Sequence, residues 1–133
     1  MASFSNFLEN ALLNRIFNGA TLTLPSTLYI GLFTAAPTDA GGGTEVSGNN
    51  YARLAVPADA TNFPTSTSGS VQNALTLTFA IPSGNWGTVT HIGIFDAATA
   101  GNLLVWGALS SPRVITSSAD VRLNQNQLTI TLD

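Results

Sequence analysis

Catalysis and coordination need groups that titrate, attack or ligate, and this chain has few. Its one histidine, His91, stands between Thr90 and Ile92 in an apolar run that reads as a strand. A lone strand histidine reads first as a structural residue, because a general base needs a nucleophile or an orienting group within reach. With no cysteine, disulfides and thiolate zinc sites are excluded, and any nucleophile must be Ser or Thr. No G-x-S-x-G elbow presents one. The seven carboxylates are Glu9, Asp39, Glu45, Asp59, Asp96, Asp120 and Asp133. A glycosidase needs two of them flanking one bond. Asp39 and Glu45 could face each other across the glycine run Gly41 to Gly43, where they could also bracket a calcium ion, but the EF-hand spacing is absent. The glycine run lacks the Lys-Ser or Lys-Thr of a phosphate loop and reads as a source of flexibility. The expectation is a protein that is not an enzyme and uses no metal or cofactor.

The aromatic and cationic residues carry more information. Trp86 lies in the turn Gly84-Asn85-Trp86-Gly87. It reads either as a plug at one end of the core or as an exposed contact, since tryptophan is enriched at interface hot spots. Trp106 falls mid-strand and reads as core. Tyr51 and Arg53, two apart on one strand face, could anchor a partner. With Phe4, Phe7, Leu8 and Arg15 of the N-terminal segment, Tyr51, Arg53 and Trp86 form the candidate protein interface.

Several elements must position these residues. Phe4, Phe7, Leu8, Leu12, Leu13, Ile16 and Phe17 recur at helical spacing. Asn6 and Glu9 resemble a capping box, and Asn18-Gly19 is a stop signal. This N-terminal helix, within residues 1–19, either packs on the chain's own core or docks on a partner or sister subunit. Strands are expected over Thr27 to Thr34, Tyr51 to Val56, Leu75 to Ile81, Val89 to Asp96, Leu103 to Leu109, Val121 to Leu123 and Leu128 to Leu132. Ala35 to Asn50 and Asn62 to Gly69 read as long loops. No internal repeat or second-domain boundary is visible. The fold class is mainly β: a single domain, 1–133, with a helix over 1–19 and a body over 20–133 that forms an antiparallel sandwich or barrel.

Composition narrows the function classes. The chain has 133 residues and is 44% hydrophobic, which suits a folded domain. Only 8% of residues are charged, with four cations, all arginine, and a net charge of −3; ordinary domains are about 25% charged. Scattered arginines make no cationic stripe, so nucleic acid and anionic membranes are not expected partners. The longest apolar stretch, Leu28 to Ala36, is short of the ~20 residues that span a bilayer. The opening Met1 to Asn6 lacks the basic region of a signal peptide, so synthesis in the cytoplasm is expected. A surface of neutral Thr, Ser and Asn repels like copies weakly and is easily desolvated, which suits a surface covered in an assembly.

A string of short motifs then stands in order: Leu28-Tyr29-Ile30-Gly31-Leu32-Phe33-Thr34-Ala35-Ala36-Pro37-Thr38-Asp39-Ala40-Gly41, Glu45-Val46, Tyr51-Ala52-Arg53, Asn62-Phe63-Pro64, Gly84-Asn85-Trp86-Gly87-Thr88-Val89-Thr90-His91, Ile94-Phe95-Asp96-Ala97-Ala98 and Leu104-Val105-Trp106-Gly107-Ala108-Leu109. Over nearly its whole length the chain resembles a family of small tailed-bacteriophage virion proteins, often labelled tail fibre proteins. It is also similar in size and character to capsid decoration, or cement, proteins. The resemblance implies a structural virion protein and no catalytic residues. A chain without a stalk or repeats is expected on the capsid surface, bound to the major capsid protein at capsomer junctions and to copies of itself, a trimer matching local threefold positions. The alternative is a tail-fibre module that binds host glycan or protein.

Overall fold

Residues 2–132 are described by the computed structural model. The chain runs β1 (Ser3–Phe4), α1 (Asn6–Phe17), β2 (Thr27–Ala35), β3 (Thr44–Glu45), β4 (Leu54–Pro57), β5 (Ser70–Gln72), β6 (Leu77–Thr78), β7 (Gly87–Phe95), β8 (Leu103–Ile115), β9 (Arg122–Leu123) and β10 (Thr129–Thr131). The long β-branched and aromatic runs form the centre of one antiparallel sheet in the order β1-β8-β7-β2-β3, with β4 sharing the β3 edge of β2. Two small antiparallel ribbons, β5 with β10 and β6 with β9, form the second layer. The mainly β, sandwich-like domain with an N-terminal helix is the fold class read from the sequence.

Strand alternation puts successive side chains on opposite faces. On β2, Ile30 and Leu32 face the main core, where they join Ile92, Ile94, Val105, Leu77, Phe79, Val121 and Leu128. Phe33 faces the other way and packs with Phe95, Leu103, Tyr29 and Trp106 in a second, smaller cluster. The sheet therefore buries apolar groups on both faces.

Several boundaries differ from the sequence expectation. The helix is capped by Ser5, not Asn6: Ser5 is extended, its hydroxyl accepts the Leu8 N–H and donates to the Leu103 carbonyl. Serine here satisfies an orphan helix donor and a buried sheet carbonyl together. Phe4 leaves the helix and pairs with Val105 as part of β1. The stop signal behaves as expected, with Gly19 at φ 68° and the Ala20 N–H turned back to the Asn14 carbonyl. The alternating run Leu75 to Ile81 yields only the two-residue β6. Leu77 and Phe79 are buried, but Leu75 and Ile81 are 47% and 66% exposed, so the alternation stops short of both ends. β4 starts at Leu54 rather than Tyr51, because the Tyr51 N–H closes a turn onto Gly48. β8 runs past Leu109 to Ile115, carried by pairing with β7 rather than by hydrophobicity. β5 offers only one apolar residue, Val71, too little for a sequence signal.

Candidate functional site

Two glycines create the most organised polar cluster. Gly31 on β2 stands directly opposite Gly93 on β7. A Cβ on Gly93 would come 2.9 Å from Leu103 and Phe33, and one on Gly31 would come 3.2 Å from the Glu45 carboxylate. Glycine in a strand interior often marks such a close approach. The space is used by Phe95 and, over it, Arg53, whose guanidinium carbon lies 3.5 Å from the Phe95 ring centroid. The Arg53 Nε donates to both Glu45 oxygens at 2.7 and 3.0 Å. Its Nη1 donates to the carbonyls of Ala97 and Ala100 at 2.9 and 2.8 Å. The side chains of Arg53 and Glu45 are only 10% and 21% exposed. One guanidinium thus ties β3, the start of β4 and the β7–β8 loop together. The loop is itself closed by the Asp96 carboxylate, which accepts from the Asn102 backbone and side-chain amides.

Tyr51 and Arg53 do not share a strand face. Tyr51 turns to the main core and meets Trp86 edge-on, with centroids 5.2 Å apart. Its hydroxyl accepts the Leu32 N–H, and burial pushes the phenol well above its ordinary range. Trp86 is 5% exposed and its indole N–H donates to the Asn49 carbonyl. Trp86 takes the plug position of the two that the sequence left open. Trp106 packs in the smaller cluster and is partly exposed, its indole N–H held by Asp39.

The helix behaves differently. Leu8 is buried and Leu12 packs on the core, yet Phe7, Leu13, Ile16 and Phe17 are 46%, 54%, 67% and 81% exposed. Arg15 is also exposed. Of the seven interface candidates, Phe7 and Arg15 lie on the surface, Phe4, Tyr51 and Arg53 are half-buried, and Leu8 and Trp86 are interior. No common surface joins Phe7 with Trp86.

The potential chemical groups are dispersed. Asp39 accepts from Trp106 while Glu45 serves Arg53, so the glycine loop does not bring the two carboxylates to a shared task. Gly41, Gly42 and Gly43 all adopt positive φ, and Thr38 and Gly41 exchange backbone hydrogen bonds in a tight turn. The left-handed conformation is what this turn asks of glycine. His91 contacts Thr90 and lies 6.1 Å from Trp106, ring to ring. Among the described residues no group of three His, Asp or Glu side chains gathers as metal ligands. No described helix is long and apolar enough to cross a membrane.

A feature that the sequence reading missed lies beside β8. Val89 pairs with Arg113 and His91 with Ala108, so Leu109 to Pro112 bulge opposite the single residue Thr90. Beyond Trp106 no described strand pairs with the outer edge of β8. A cleft of about 590 Å³ opens there between the main sheet and the second layer. The unequal run of small and polar residues, Gly107-Ala108 and Ser110-Ser111-Pro112, is the only sequence sign of it. Likewise the repeated triplets Ile30-Gly31-Leu32 and Ile92-Gly93-Ile94 were the available sign of the glycine contact.

Compared with known proteins, residues 3–131 match the family model described as "Podophage GP4 fiber I protein gp80". No curated protein matches the chain.

Proposed function

The chain belongs to the family of podophage GP4 fiber I protein gp80, a bacteriophage virion family, and from that premise we propose that it is a non-catalytic component of a phage tail fibre. The family match, which runs through nearly the whole chain, carries the reading. The side chains support it. The most ordered polar cluster, Arg53 with Glu45, is spent on holding strands and a loop together. The helix leaves its apolar end in water, as a subunit made for an assembly would.

A capsid-decoration role on the major capsid protein is a second reading. The 8% charged content favours it, since a neutral surface loses little on being covered by a shell. Both readings make the protein a virion part that works through contacts with copies of itself and neighbouring virion proteins.

One experiment separates them. Virions carrying a tagged copy of this chain, labelled with gold-conjugated antibody and imaged in the electron microscope, should show label on the tail. Label spread over the shell and absent from the tail would replace the fibre reading with decoration. Mature virions without label in either place would remove both.

A further inference from the structure

Two surface features are left unfilled by the chain itself. The first is a stripe on the far half of α1. Leu13, Ile16 and Phe17 follow a three-and-four spacing that places them on one helical face. They are 54%, 67% and 81% exposed. With about 200 Å² for a fully exposed large apolar residue, the three leave roughly 400 Å² in water. Patches of about 300–600 Å² are the largest on ordinary monomers and are often functional. Glu9 lies one turn before Leu13 on the same face. Neither ion pair among the described residues includes it.

The second feature is the cleft under the β8 bulge, with a volume of about 590 Å³. Its floor is apolar, with Leu32, Phe79, Val89 and Ile92, and Arg113 and Arg122 stand at its edge. Arg122 is paired with Asp120, whereas Arg113 donates only to the Asp120 carbonyl and has no carboxylate partner among the described residues.

We infer that the helix stripe of one copy seats in the β8 cleft of the next, with Glu9 facing Arg113. The stripe is convex, apolar and negative; the cleft is concave, with an apolar floor and a polar rim that carries Arg113. Charge also decides against two helices meeting face to face. Of the four cations, Arg53 and Arg122 already hold carboxylates. Arg15 projects from the helix about 160° away from Leu13 and Phe17, at ~100° per residue, so it cannot serve a Glu9 on a stripe packed against it. Arg113 is the cation left, and it sits at the cleft. Such a contact uses two different surfaces of the same chain, so repetition closes it into a ring or extends it as a filament. It goes beyond the fibre assignment and holds at any location in the virion.

The test uses the purified chain in sedimentation-velocity experiments. Ile16→Asp disables the stripe and leaves the cleft; Ser111→Trp, at an exposed residue of the bulge, blocks the cleft and leaves the stripe. The wild type should sediment as an oligomer and each variant alone as a monomer. An equimolar mixture of the two should form a two-chain species, because one good stripe and one good cleft remain. Glu9→Arg and Arg113→Glu should each weaken self-association at least tenfold, and the double variant should restore it. Phe17→Asp and Ala108→Trp replace the first pair should either unfold, as judged by circular dichroism. A monomeric wild type overturns the inference, as does an oligomer that survives Ser111→Trp. A mixture that stays monomeric also overturns it, because the stripe and the cleft are then not each other's partners.

Discussion

Replacing Arg53 by alanine should destabilise the fold while changing little of the exposed surface, since its side chain is 10% exposed. The wild-type side chain makes charge-assisted contacts to both Glu45 oxygens, donates to two loop carbonyls, and covers the Phe95 ring. Hydrogen bonds to charged groups contribute about 1.5–3 kcal/mol each, and a cation over an aromatic face about 0.5–2 kcal/mol. These do not add, since desolvation of the guanidinium offsets part of them. Removing one partner of a buried pair costs about 3–5 kcal/mol because the other is left uncompensated. Glu45 is 21% exposed, so water recovers some of that, and about 3 kcal/mol is the expected loss. For a chain of this size that corresponds to a Tm lowered by roughly 10 °C. Urea unfolding followed by tryptophan fluorescence reads it directly. Glu45→Ala and the double variant complete a cycle whose coupling should exceed about 1 kcal/mol. Arg53→Lys should rescue little, because a point charge cannot serve a carboxylate and two carbonyls from a planar fork. A loss under about 0.5 kcal/mol would refute the clamp and return Arg53 to the role of a surface anchor.

Other outcomes follow from the same contacts. Ser5→Ala removes the α1 cap and the hydroxyl that donates to the buried Leu103 carbonyl; a loss of about 1–3 kcal/mol in thermal unfolding is expected. Leu8→Ala, at a buried site, should cost about 2–5 kcal/mol in urea, and Phe7→Ala, 46% exposed, clearly less than the ~3–5 kcal/mol of a core Phe; equal losses would make Phe7 a core residue. Tyr51 keeps its proton in the folded state beyond the pH at which the unfolded chain loses it, because burial raises its pKa from 10.0. That contribution is complete below about pH 10 and is lost as pH rises further, at a slope approaching about 1.4 kcal/mol per pH unit. Tyr51→Phe should remove that part of the slope in alkaline denaturant melts, and an unchanged slope would contradict it.

What the amino-acid sequence determined by itself is what rests on local pattern and on residue supply. The helix over Asn6–Phe17 and the strands β2 and β7 were legible because a long periodic or β-branched run has few other ways to hide its apolar groups. The ordered motifs pointed to the virion family that matches residues 3–131. Tertiary structure alone decided which side of each apolar residue is covered. Leu8 and Ile16 belong to the same apolar pattern, but α1 packs on the core through Leu8 and Leu12, so Leu8 is buried and Ile16 is in water. Tyr51 and Arg53, two residues apart, go to opposite faces of the sheet. The partner of Arg53 is set by a glycine pair between β2 and β7. The cleft beside β8 exists because Leu109 to Pro112 meet a single residue across the ladder. Each of these depends on pairing between residues far apart in the chain, and no window of the sequence contains both partners.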